Sequence, residues 1–201
     1  MTEPPVDLSI ETLDAYLSAH VAGFRRLRSI QKFAGGQSNP TYRLNAESGI
    51  YVLRRKPFGE LLKSAHAVDR EYRVMRALAD SSVPVPETLH LCEDDSVIGA
   101  MFFVMAFVDG QIHWNPALPD LDASQRTAMF DEMNRILAAL TAVDLDAVGL
   151  ADYGRPGNYY ERQIGRWTKQ YRASETASIP AMETLIDWLP ANVPADDLGV
   201  S

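Results

Sequence analysis

Ser29-Ile30-Gln31-Lys32-Phe33-Ala34-Gly35-Gly36-Gln37-Ser38-Asn39-Pro40-Thr41-Tyr42-Arg43-Leu44 decides the fold. Its two ends alternate apolar and polar residues, the period of a half-buried strand. Between them lies a turn of glycines and short polar side chains. Tyr51-Val52-Leu53-Arg54 follows as a third strand after a loop containing Gly49. Pro57 and Gly59 end this meander. Residues 64–79 then take the helical period, with Val68, Tyr72, Met75 and Leu78 on one face. After the extended Val83-Pro84-Val85-Pro86, two more strands are expected at 88–92 and 101–108, around Glu93-Asp94-Asp95. Residues 29–108 therefore read β-β-β-α-β-β.

A helix is expected before this unit, from Leu8 to Val21, with Leu13, Leu17 and Val21 recurring and Ser9 or Asp7 as cap. Beyond Asp109-Gly110 the composition shifts. Residues 124–143 form an amphipathic helix with Met129, Met133, Ile136, Leu140 and Val143 on one stripe, and its methionine-rich stretch 129–133 reads as core packing. Asn158 is the expected cap of the next helix, on which Tyr160, Ile164, Trp167 and Tyr171 recur, and a short helix closes at 180–189. The expected domains are 1–108 and 109–201.

Composition limits the function. The 201 residues carry 19 Lys plus Arg and 27 Asp plus Glu, a net charge of −8. So acidic a chain lacks the positive field of a nucleic-acid binder. A single cysteine, Cys92, forms no internal disulfide and fits a reducing compartment. No signal peptide is visible, and the longest apolar run, 97–108, falls short of the ~20 residues a membrane helix needs. A cytoplasmic protein without membrane or nucleic-acid partners is expected. His20, His66, His90 and His113 share no metal-ligand spacing. G-x-S-x-G, the P-loop and the Rossmann motif are all absent.

What remains is the turn and its neighbours. Gly35 and Gly36 let backbone amides approach an anion, and Gln37, Ser38 and Asn39 add polar side chains, although a hairpin turn without a ligand reads equally well. Alternation puts Val52 and Arg54 on one strand face, an apolar contact beside a cation. Glu71 sits at the border of the helix's buried stripe, where a carboxylate can hold a strand cation. The competing reading makes Arg54-Arg55-Lys56 a solvated charge run and Glu71 a surface partner worth ~0–1 kcal/mol. The strand Phe103-Val104-Met105-Ala106-Phe107-Val108 leads into Asp109-Gly110, where backbone groups can meet a planar heterocycle beside a cleft.

In this order, these features resemble the N-lobe of the protein-kinase-like fold. They are most similar to the aminoglycoside phosphotransferase and choline kinase branch, above all the phosphotransferase domains associated with acyl-CoA dehydrogenases. The resemblance is carried by residues 33–42, 51–57, 64–72, 83–86, 103–105 and 154–159, and it covers about 8–198. It implies an α+β fold: a five-stranded antiparallel sheet with one packed helix, then the first helices of an incomplete helical C-lobe. It also implies an ATP-dependent small-molecule kinase using Mg²⁺. Gly36 to Asn39 would lie over the phosphates. Arg54 would replace the strand lysine, and Glu71 would hold it. Met105 would back adenine, whose edge would meet the Ala106 carbonyl and the Val108 amide. The acceptor would be a small hydroxyl compound, with a hydroxy acid or an acyl-CoA derivative suggested by the dehydrogenase association.

One departure from the family is large. None of the four histidines begins H-G-D-x-x-x-x-N, the loop that supplies the base and a metal ligand in such kinases. Ile186-Asp187-Trp188 resembles the metal motif but precedes the place where that loop would begin. The resemblance thus implies a chain truncated before its catalytic loop, with no catalytic or metal residue assigned. In such a chain the apolar stripes of helices 124–143 and 159–173 would be left exposed. The alternative is a non-catalytic nucleotide-binding or protein-interaction module, which its exposed helical faces could pair into a homodimer.

Overall fold

The computed structural model describes residues 8–34, 39–58, 66–154 and 157–194. The chain divides into two compact units, Met1–Val143 and Asp144–Ser201. The division falls after the long helix, not at 108/109 where the composition shifts. In the first unit, α1 (Ile10–His20) precedes the strands β1 (Leu27–Lys32), β2 (Thr41–Ala46) and β3 (Gly49–Arg55). Then come α2 (Val68–Ala77), β4 (Thr88–Cys92), β5 (Phe102–Ala106) and α3 (Ala123–Thr141). The five strands form one antiparallel sheet in the order β1-β2-β3-β5-β4.

The core lies between α1 and one face of this sheet. Leu13 and Leu17, four residues apart and so one above the other, are fully buried against Tyr42, Leu44, Leu53, Phe102 and Val104. Ser9 caps α1, its hydroxyl accepting from the Thr12 amide at 3.2 Å. The Leu27 amide donates to Asp14 Oδ1 at 2.6 Å, fixing the helix to the first strand. On the opposite face α2 packs through Tyr72, whose ring lies 5.9 Å from that of buried Phe103.

Two polar groups enter the α1 side. The Tyr16 hydroxyl meets His90 Nε2 at 3.0 Å, and the His20 ring stacks on Tyr16 at 4.1 Å. Burial and the nearby Cys92 thiol push the Tyr16 hydroxyl well above its ordinary range. Burial, and then the neighbouring His20, hold His90 below the usual histidine value. The unfolded chain therefore takes up this proton more readily than the folded one. The His90 contribution to stability is complete above about pH 6.5 and is lost as the pH falls toward the lower folded value. Urea midpoints should fall over that window in the wild type, and His90→Asn should flatten the slope.

Arg55 departs from the solvated charge run. It is fully buried on the α1 side, its guanidinium 3.9 Å from the Phe58 ring centroid and 5.8 Å from that of Tyr42. Its Nη1 donates to the Lys56 carbonyl at 2.7 Å. Phe58 in turn closes on Gly99, where φ is +81° and an added Cβ would stand 2.8 Å from Phe58 Cε1. Arg55→Ala should lower stability by about 3–5 kcal/mol, the size of a desolvated cation–π contact plus a charged hydrogen bond; a urea titration measures it.

α3 begins with a capping box between Asp122 and Gln125. Its apolar stripe is only partly covered: no residue of α3 is buried, Met129 and Ile136 are half-buried, and Met133 and Leu140 are 57 % and 46 % exposed. No other described element of the unit buries the stripe fully. In the second unit α4 (Tyr159–Ser174) and α5 (Pro180–Ala191) are joined by Arg172, which donates to Glu183 Oε1 at 2.6 Å. Asn158 stands at the α4 N-cap with φ +51°, a left-handed conformation in which its side chain makes no capping bond. No helix among the described residues is long and apolar enough to cross a membrane.

Candidate functional site

The site occupies the sheet face opposite the core. Strand register sets its members: Thr41 pairs with Arg54 and Arg43 with Val52, while Arg54 also pairs with Phe103 and Val52 with Met105. Paired residues project to the same side, so Thr41, Arg43, Val52, Arg54, Phe103 and Met105 share one surface. Leu53 and Arg55, one step out of phase, go to the other.

Glu71, on the first turn of α2, reaches this surface from above. Arg54 Nε donates to Glu71 Oε2 at 2.5 Å and Nη2 to Oε1 at 3.3 Å, a two-pronged ion pair that a lysine could not make. Arg54 Nη1 donates to Thr41 Oγ1 at 3.0 Å. The side chains are 30 % and 37 % exposed, so solvent screens the pair and its worth as a stability element is modest. Its geometry matters more than its energy.

Asn39 completes the arrangement. It is 4 % exposed, and its Nδ2 donates to Glu71 Oε1 at 2.8 Å. The Asn39 carbonyl accepts from Thr41 Oγ1 at 3.1 Å. Asn39, Glu71, Arg54 and Thr41 therefore form a closed ring of hydrogen bonds, linking the residue after the glycine turn to the strand cation. His66 Nδ1 lies 3.0 Å from Asn39 Oδ1. Of the polar turn itself, Gly35, Gly36, Gln37 and Ser38 lie outside the described residues.

Farther along the sheet, Val52 is buried and Met105 half-buried, giving an apolar floor next to the cation. The Ala106 amide is engaged, donating to the Glu87 carbonyl at 2.8 Å. Val108, past the strand end, is 64 % exposed. Arg43 lies 4.8 Å from the Phe107 ring centroid and donates from Nε to Asn45 Oδ1 at 3.0 Å. Among the sequence-predicted residues, Asn39, Arg54 and Glu71 meet directly, and Val52 and Met105 are register partners. Thr41, His66 and Arg43 add to the site without having been assigned roles. Thr41 was accessible in principle, since pairing β2 with β3 puts it opposite Arg54.

The donors fit an anionic ligand. A guanidinium already oriented by a carboxylate, beside an apolar strip, suits a phosphate attached to a flat ring. A divalent cation is not served here, because both Glu71 oxygens are engaged by Arg54 and Asn39. No group of three His, Cys, Asp or Glu side chains among the described residues could hold a metal ion. A cavity of about 340 Å³ follows in the chain, lined by Gln111 to Asn115 and Leu118 to Leu121. Its lining residues include no arginine or lysine.

Residues 29–200 match the sequence model described as the phosphotransferase enzyme family. The chain belongs to this family. A solved Ralstonia eutropha protein, provisionally assigned as an aminoglycoside phosphotransferase, is 51 % identical and superimposes with a TM-score of 0.76, over 94 % of this chain and 55 % of that one. Mouse acyl-CoA dehydrogenase family member 10 is 48 % identical over 190 residues, covering 94 % of this chain. Human acyl-CoA dehydrogenase family member 11 is 40 % identical over 191 residues, covering 93 %. The chain spans 18 % of the mouse protein's length and 24 % of the human one's. The sheet and its flanking helices are thus those of a kinase-like phosphotransferase fold.

Proposed function

We propose that this phosphotransferase-family chain binds ATP on the Arg54 face of its sheet and serves transfer of the γ-phosphate to a small hydroxyl-bearing acceptor. The observation that carries the reading is the Arg54–Glu71 ion pair, on the same face as Val52 and Met105 and tied through Asn39 to the end of the glycine turn. In this reading Gly36 to Asn39 would lie over the phosphates. Arg54 spends two nitrogens on Glu71 and directs its remaining donor capacity to the α- and β-phosphates. The adenine ring rests on Val52 and Met105, and its edge meets the Ala106 carbonyl and the Val108 amide. The Ala106 amide already serves the sheet, so only its carbonyl faces the base.

Bound nucleotide would bring Mg²⁺ with it, since the described residues at the site offer no ligand set for the ion. ATP with Mg²⁺ supplies the transferable phosphoryl group; this chain's part is to hold and orient it. The acceptor is a hydroxy acid or an acyl-CoA derivative. That choice is supported by the names of the relatives, which couple the family to acyl-CoA dehydrogenases. A cytoplasmic setting suits both substrates.

The exposed stripe of α3 favours a second reading, a nucleotide-binding module that pairs through its helical faces with a second copy. Calorimetry with Mg-ATP and Mg-ADP, together with a phosphate-release assay and sedimentation, tests both. The first reading expects saturable binding in the range usual for enzyme substrates, about 1 μM to 1 mM, by a monomer. Binding by a dimer without phosphate release favours the module. No binding contradicts both.

A further inference from the structure

The hydrogen-bond ring around Arg54 fixes which ring nitrogen of His66 carries a proton. Glu71, paired with Arg54 at 2.5 Å, is a carboxylate and can only accept. Its partner at 2.8 Å must therefore be the amino group of the Asn39 carboxamide, not the oxygen. That orientation turns Asn39 Oδ1 toward His66 Nδ1, 3.0 Å away. A carboxamide oxygen has no proton to give, so Nδ1 of His66 carries one. Read from the outside in, His66 donates to Asn39, Asn39 donates to Glu71, and Glu71 receives Arg54.

We infer that His66 is the positioning residue of this site. Its Nδ1–H selects one of the two orientations of a carboxamide that is 4 % exposed. With His66 in place, Asn39 presents N–H to Glu71; turned over, it would present an oxygen to a carboxylate and displace Glu71 from Arg54. His66 sits where such control requires it, two residues before α2 (Val68–Ala77), which carries Glu71. The backbone there is held at φ +61°, unfavourable for a side chain larger than glycine's, and the Val68 amide donates to the His66 carbonyl at 2.9 Å. The consequence for nucleotide binding rests on the reading of Arg54 as the phosphate clamp; the proton on Nδ1 does not.

The test uses the 201-residue chain labelled with ¹⁵N, at about pH 8.5, two units above the ordinary histidine value. Long-range ¹H–¹⁵N spectra should show the Nδ1–H tautomer for His66; the Nε2–H tautomer would overturn the inference. Two variants then separate positioning from mere packing. His66→Asn places an amide nitrogen near the position of Nδ1, and His66→Gln places one near Nε2. The Arg54 Nε–H resonance should persist in the wild type and in His66→Asn, and should broaden or shift in His66→Gln. Mg-ATP affinity should stay within about twofold in His66→Asn and fall roughly tenfold in His66→Gln. Equal behaviour of the two variants at Arg54 would refute the positioning role. If the wild type binds no nucleotide, the clamp reading fails, while the tautomer and the Arg54 signal still decide what His66 does.

Discussion

Arg54→Ala should weaken Mg-ATP binding by roughly 10- to 100-fold, the effect of removing charge-assisted hydrogen bonds worth about 1.5–3 kcal/mol. Calorimetry on the intact chain reads it. The substitution removes the cation, and it also releases Glu71, whose Oε2 accepts from Arg54 Nε at 2.5 Å. A freed carboxylate at a phosphate site repels the ligand, so the loss exceeds that of a single contact. Arg54→Lys keeps the charge but cannot span both Glu71 oxygens and Thr41 together, and it should fall between the wild type and alanine. Folding should change little in either variant, because the pair is partly solvated. An Arg54→Ala chain that binds ATP like the wild type would remove the cation from the mechanism.

The second large effect concerns stability. Phe102→Ala should cost roughly 3–5 kcal/mol, the range for deleting a buried aromatic ring. Phe102 is fully buried among Leu13, Leu17, Leu53 and Val104, with Tyr16 edge-on at 5.8 Å. Met133→Ala on α3 should change stability by less than about 0.5 kcal/mol, as expected of an exposed position. Urea unfolding followed by far-ultraviolet circular dichroism compares the two. Both residues are apolar members of apolar patterns, so the contrast isolates packing from composition. Similar costs at the two positions would place core against α3, where the structure has none.

How far these assignments were legible depends on the period of each segment. Strand alternation gives the sheet and sends Val52 and Arg54 to one face, because a two-residue repeat leaves no choice once one member is placed. It equally sends Arg55 to the other face, but nothing local says that this face ends in an aromatic box. Phe58, which covers Arg55, follows Pro57 and belongs to no repeat. The stripe of α3 was visible as a stripe, and its exposure was expected from the absent catalytic motif, not from any local pattern. His66 was the least legible of all. Its part in the site depends on a left-handed backbone angle and on the hydrogen-bonding sense of a carboxamide, and neither leaves a trace in residue order. Asn158 shows the reverse case: residue type pointed to a cap, and the position was right, but its left-handed backbone kept the side chain out of the capping bond.

The account depends on a nucleotide lying on the Arg54 face, and a crystal structure of the chain grown with Mg²⁺ and a non-hydrolysable ATP analogue tests this most directly. The expected density places phosphate oxygens within hydrogen-bond distance of Arg54 while Glu71 remains paired with it, and puts the purine on Val52 and Met105. A nucleotide bound elsewhere, or an Arg54 side chain that stays on Glu71 and Thr41 with no phosphate beside it at saturating ligand, would contradict it.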